Sequence, residues 1–183
     1  MEKALLLIDI QNDYFPGGKA TLVGAEKALE NAEIALKLFR KKKYPIIHVQ
    51  HFSTTTEDTF FLPGTQGVKI HERLSPKPGE HLVIKHFPSS FYQTNLLSII
   101  QDNQIGELVV CGMMTHMCVD TTVRAAKDYA LPVTLLHDAC ATKNLSFEQE
   151  TVLAKQVQAS YMAALSGIFA QIIPTNELSR ILA

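Results

Sequence analysis

Apolar residues along this chain fall into two alternating rhythms: short unbroken runs that stop at a polar or charged residue, and longer stretches where they recur every third or fourth place. The runs predict strands. Ala4-Leu-Leu-Leu-Ile8 stops at Asp9, Pro45 to Gln50 follows as a second, and His81-Leu-Val-Ile-Lys85 is a third. Residues 108 to 111 give a fourth, Leu131 to Leu136 a fifth that stops at His137-Asp138, and Ala170 to Ile173 a short sixth. Between them, Ala25, Ala28, Leu29, Ala32, Ala35, Leu36 and Phe39 form one helical stripe over Gly24 to Lys43. Further helices are predicted around Leu96, Ile99 and Ile100, and around Val119, Val123, Ala126 and Ala130. A long one is expected from about Ser146, capped by that serine, with Glu148 to Glu150 in its first turns and Val157, Tyr161, Ala164 and Ile168 as its stripe. Thr175 to Leu182 closes the chain as a turn or two. Residues 52 to 80, rich in Ser, Thr, Pro and Gly around Phe60-Phe-Leu62, are long for a loop and are expected to hold small helical turns or to cover a site.

Strands alternating with helices imply parallel pairing through right-handed crossovers. The expectation is α/β: a single Rossmann-like domain over residues 1–183, with a six-stranded parallel sheet in the order 3-2-1-4-5-6 and helices on both faces. In that order strands one and four are neighbours, and ligands bind beyond their C-terminal ends, where the winding reverses. Asp9 ends strand one, Lys85 ends strand three, and Cys118 follows strand four, so the topology brings all three to one rim.

Composition narrows the possible functions. With 46% hydrophobic residues among 183 and a formal net charge of −1, the chain can bury a sizeable core and carries no broad basic face. The run Arg40-Lys-Lys-Lys43 reads as a solvated helix end, so no nucleic-acid partner is expected. No leader pattern and no apolar run of membrane-spanning length is seen, so no membrane partner is expected either. Cys111, Cys118 and Cys140 have no metal-ligand spacing and are odd in number, which suggests a reducing, cytoplasmic setting.

Cys118 sits where a strand turns directly into a helix, a junction that gathers free backbone N–H groups and the positive end of the helix dipole, so its thiolate is expected to be favoured. Placed with an acid and an ammonium, it suits attack on a carbonyl carbon. Cys118 would be the nucleophile, Asp9 the proton acceptor, and Lys85 the cation that holds Asp9 and adds positive potential beside the sulfur. The N–H groups of Met114 and Cys118 would receive the oxyanion. Cys111, within a strand, and Cys140, in a loop after one, are read as structural. His48 and His51, three apart on a strand, face opposite sides and cannot chelate together. No metal and no cofactor is expected, with His51 and His71 as the histidines to watch. His116 reads as a pocket wall or a hydrogen bonder to substrate. Gly17-Gly18 comes too late after strand one for a dinucleotide loop.

Leu7-Ile-Asp-Ile-Gln-Asn-Asp-Tyr-Phe15, Val83-Ile-Lys-His-Phe-Pro-Ser-Ser-Phe91 and Gly112-Met-Met-Thr-His-Met-Cys-Val-Asp-Thr-Thr122 resemble the three signature blocks of the isochorismatase-like cysteine hydrolases. Pro63-Gly-Thr65 and Asp138-Ala-Cys-Ala141 are similar to further family segments. The resemblance implies a Cys-Asp-Lys triad of Cys118, Asp9 and Lys85, hydrolysis of a C–N bond in a small molecule, a dimer or larger homo-oligomer, and a non-proline cis peptide at Met113–Met114. Nicotinamidases of the family carry an Asp-x-His metal motif after strand two. Here that stretch is His51-Phe-Ser53, so neither nicotinamide nor a bound zinc or iron is implied. Isochorismatases proper act without the cysteine. Amidases and N-carbamoyl or lactam hydrolases remain, with Phe15, Phe87, Phe91, Met114 and His116 flanking the blocks as pocket candidates. The rival reading is a non-catalytic small-ligand-binding or redox-sensing protein built around a reactive Cys118.

Overall fold

A computed structural model describes residues 2–55, 57 and 59–182. Met1 and Ala183 of the expected domain, and Thr56 and Asp58 of the long loop, lie outside the described residues. The elements run β1 (Glu2–Ile8), α1 (Ala25–Lys42), β2 (Ile46–His51), β3 (His81–Lys85), α2 (Leu96–Asp102), β4 (Ile105–Met113), α3 (Asp120–Asp128), β5 (Val133–Ala141), β6 (Leu145–Phe147), β7 (Glu150–Val152), α4 (Ala154–Leu165), β8 (Gln171–Ile173) and α5 (Leu178–Ile181). The sheet order is β3-β2-β1-β4-β5-β8, all parallel. This is the expected 3-2-1-4-5-6 arrangement, with a small hairpin inserted before the sixth strand. Among the described residues no helix is long and apolar enough to cross a membrane.

The unbroken apolar runs are buried on both sides, as parallel strands must be. Leu5 and Leu7 of β1, with Val109 and Cys111 of β4, face the α1 stripe of Ala28, Leu29, Ala32, Leu36 and Phe39. Ala4, Leu6 and Ile8, with Leu108 and Val110, face Val119, Val123 and Leu96 on the other side. Each large aliphatic or aromatic side chain so buried contributes about 1.5–3 kcal/mol. The stripe on α1 therefore ties the first helix firmly to the centre of the sheet.

Backbone approach is closest where β1 meets β4. Ile8 pairs with Gly112, whose φ is +140°, and a Cβ there would stand 2.1 Å from the Ile8 carbonyl oxygen. Only glycine fits. The β4–β5 register also shifts between Val110 and Gly112, and Cys140 pairs with Gly112. Strand five therefore continues past His137-Asp138 to Ala141, and Cys140 lies in the strand rather than in a loop after it.

Two further expectations are corrected. Residues 145 to 152 form the antiparallel β6–β7 hairpin, with Leu145 opposite Val152 and Glu148 at a left-handed φ of 53°. The helix expected from Ser146 begins instead at Ala154, whose N–H is taken by Asn144 Oδ1 at 2.8 Å, while Leu153 N–H donates to Gln156 Oε1 at 3.0 Å. Ala164 and Ile168, expected in its buried stripe, are exposed. The basic run closing α1 is not wholly solvated: Arg40 Nε and Nη2 grip the Glu80 carboxylate at 2.6 and 2.9 Å, and Nη2 also donates to Ser75 O.

Among its described residues the long loop contains one short helical turn, Glu72–Leu74, and it is stitched to the segment after β1. Gln11 Nε2 donates to His51 O and Val68 O, Gln11 Oε1 accepts from His51 N–H, and Asp13 Oδ2 accepts from Phe61 N–H at 2.7 Å. Phe61 is thereby fixed with its ring buried.

Candidate active site

β1 ends at Ile8, and Asp9 turns the chain out of the sheet with φ 51°, a left-handed conformation that aspartate tolerates better than most residues. Its N–H donates to Val49 O and its carbonyl accepts from Gln11 N–H. Along β3 the side chains alternate: Leu82 and Ile84 are exposed, while Val83 and Lys85 turn inward. His51 pairs in register with Lys85. Cys118 lies in a wide π-helical turn, Thr115–Val119, that joins β4 to α3.

These elements bring Asp9, Lys85 and Cys118 together. Neither Asp9 nor Lys85 is exposed to solvent, and Cys118 is buried. Lys85 Nζ lies 2.7 Å from Asp9 Oδ2, 2.9 Å from His51 Nδ1, 3.1 Å from Phe87 O and 3.1 Å from Cys118 Sγ. Four acceptors thus surround an ammonium that has only three hydrogens. Burial disfavours the charged lysine, but Asp9 and Cys118 outweigh it, and the net direction is upward, toward a retained proton. Asp9 Oδ1 has no hydrogen-bond partner among the described residues.

The thiol state differs from expectation. Burial pushes the Cys118 thiol well up, the Asp9 charge adds to the rise, and Lys85 opposes it without overcoming it. The resting group is the thiol, because loss of water around the sulfur outweighs the field at the helix start. A proton on Cys118 beside the Asp9 carboxylate is a poised donor and acceptor.

Asp9, His51 and Cys118 each offer a ligand atom within 4.8 Å of the others, a donor set chemically suited to zinc. The Lys85 ammonium already lies within hydrogen-bond distance of all three residues. A metal would have to displace it, so the residues as arranged do not fit one. His71 stands apart from this group, its ring tilted against Phe15 at 4.6 Å and its Nδ1 accepting from Arg73 N–H.

The other pocket candidates are dispersed. Phe15 and Phe91 lie in the two core clusters on opposite faces of the sheet, and Phe91 packs at 4.9 Å from Tyr129. Phe87 supplies its carbonyl to Lys85, while its exposed ring packs on Tyr92. His116 is half-buried, with Nδ1 2.6 Å from Thr142 Oγ1. The Met113–Met114 peptide is cis. Met114 also lines a cavity of about 300 Å³ with Lys19, Ala20, Thr21, Thr59, Phe60 and Lys143.

Sequence reasoning missed two residues. Tyr14 has a buried ring edge-on to Phe61, and its hydroxyl pKa is raised first by burial and further by the Asp9 and Asp13 charges. The signal was its place in the Asp9 block. His51 was weighed only as a metal ligand, although its register opposite Lys85 makes it that lysine's partner.

A model of the isochorismatase domain matches residues 3–167. The chain is 46% identical over 176 residues to YddQ, an uncharacterized isochorismatase family protein of Bacillus subtilis strain 168, covering 96% of this chain and 98% of that one. A crystal structure of a putative isochorismatase hydrolase from Oleispira antarctica superposes with a TM-score of 0.93 at 46% identity, covering 97% of this chain and 95% of the other. A streptothricin hydrolase of Streptomyces noursei is 31% identical over 143 residues, 78% of this chain and 51% of that protein.

Proposed function

The chain belongs to the isochorismatase family of hydrolases, and from that premise we propose that it cleaves a C–N bond, in an amide, lactam or carbamoyl group of a small molecule, through a thioester on Cys118. The observation that carries this reading is the Lys85 ammonium held at once by the Asp9 carboxylate at 2.7 Å and the Cys118 sulfur at 3.1 Å.

As the sulfur attacks the carbonyl carbon, Asp9 takes the thiol proton, and Lys85 balances the negative charge that passes between carboxylate and sulfur. The carbonyl oxygen becomes an oxyanion received by the N–H groups of Met114 and Cys118. When the C–N bond breaks, the nitrogen leaves with the proton from Asp9, and the acyl group remains on sulfur. Water, deprotonated by Asp9, attacks the thioester. The acid departs and the proton returns to Cys118. A streptothricin hydrolase among the relatives fits small-molecule hydrolysis. The buried Asp9–Lys85 pair favours the enzyme over a redox sensor, since a sensor needs only an accessible, acidic thiol, and this one is neither.

The test is a screen of mixed small amides with mass-spectrometric detection of an acyl adduct on the Cys118 peptide. Turnover with Cys118→Ala inactive and natively folded supports the mechanism. Hydrolysis that survives Cys118→Ala overturns it.

A further inference from the structure

The cavity that reaches Met114 has a lining of one sign. Lys19 and Lys143 stand on it with the hydroxyl-bearing Thr21 and Thr59, Phe60 and Met114. No acidic side chain lines it among the described residues. Neither lysine ammonium has a hydrogen-bond or ion-pair partner among the described residues. The two lysines come from different parts of the chain, Lys19 from the loop after β1 and Lys143 from the turn between β5 and β6. The Asp13 carboxylate, bonded to the Lys19 backbone, is already occupied by Phe61 N–H at 2.7 Å and Lys19 N–H at 3.1 Å. On the other side, His116 lies within the field of Lys143, which together with burial lowers its pKa.

We infer that the substrate cleaved at Cys118 is a small amide bearing a carboxylate, which Lys19 and Lys143 receive while the scissile carbonyl lies at Met114. This rests on the hydrolase reading above and narrows it. Two lysines on one lining beside Phe60 and Met114 suit a short acid with a few carbons between its carboxylate and its amide. An uncharged amide of the same length would leave both lysines without a counter-charge and gain nothing from them.

The experiment compares alkylation of Cys118 by iodoacetate and by iodoacetamide, reagents that differ in charge and little in size, followed by peptide mapping. The iodoacetate-to-iodoacetamide rate ratio is measured for the wild type and for Lys19→Ala/Lys143→Ala, whose exposed positions spare the core. The ratio is expected to fall about tenfold in the double variant and about as far in the wild type when salt is raised to 1 M. A parallel pair, succinamate and succinamide, should show a kcat/KM preference for the anion that the double variant loses through KM. An unchanged alkylation ratio, with Cys118 still labelled, overturns the carboxylate inference and leaves the hydrolase reading standing. Failure of both reagents to label Cys118, with no amide cleaved, overturns both.

Discussion

Lys85 and Asp9 form an ion pair of 2.7 Å in which neither side chain reaches solvent. Such a pair contributes little net stability over an apolar substitute, yet removing one member leaves a buried charge unmatched. Lys85→Met is expected to cost about 3–5 kcal/mol in denaturant unfolding. It should also lower kcat by at least about 10³ if the lysine acts as proposed.

Asp9→Asn separates the field from the base. Burial raises the Cys118 thiol first and the Asp9 charge adds to it, so removing that charge lets Lys85 draw the pKa down and raises the thiolate fraction at neutral pH. Iodoacetamide should label Cys118 faster in Asp9→Asn than in the wild type while amide turnover is lost. Slower labelling would contradict the field argument, and turnover that survives in Asp9→Asn would contradict the assignment of Asp9 as base.

Glu80 supplies an acid limit to stability. Burial alone would raise its carboxyl, but the Arg40 guanidinium, the Lys77 N–H and the His48 ring outweigh it and hold it at about 2, against an ordinary 4.5. A folded pKa below the unfolded one gives stability that is present above about 4.5 and disappears as pH falls toward 2. Urea midpoints measured across that window should fall with pH in the wild type and fall less steeply in Glu80→Gln.

Gly112→Ala should be the most damaging single methyl on the sheet. Its φ of +140° is closed to other residues, and the added carbon would meet the Ile8 carbonyl, one residue before Asp9. A loss of about 3 kcal/mol or more is expected, read as a collapse of the thermal midpoint. A variant of near-native stability would show that β1 and β4 can part without harm.

The sheet was legible because β1, β3 and β4 are unbroken apolar runs, and a run that stops at Asp9 or Lys85 marks where a strand leaves the core. Order and rim followed from handedness rules that need no coordinates. Residues 145 to 152 were not legible, because their acidic side chains suit a first helical turn as well as a hairpin. What decides is the Leu145–Val152 pairing and the Asn144 side chain on Ala154 N–H, contacts that helical periodicity does not register. The protonation of Cys118 was illegible for a different reason: a helix start can be read from spacing, but the exclusion of water around one sulfur arises only when distant segments close over it.

Gln11 and Asp13, two and four places after Asp9, carry the stitches to the long loop. The proposed base and the anchors of the long loop are therefore mounted on one short length of chain. If the proposed reading holds, variation at Thr59 or Phe60 reshapes the cavity at Met114 while Asp9 keeps its place, and new substrates enter without rebuilding the triad. Loss of the Asp13 carboxylate would release the Phe61 anchor and the loop bearing Lys19 together, and selectivity and rate would fail in one step.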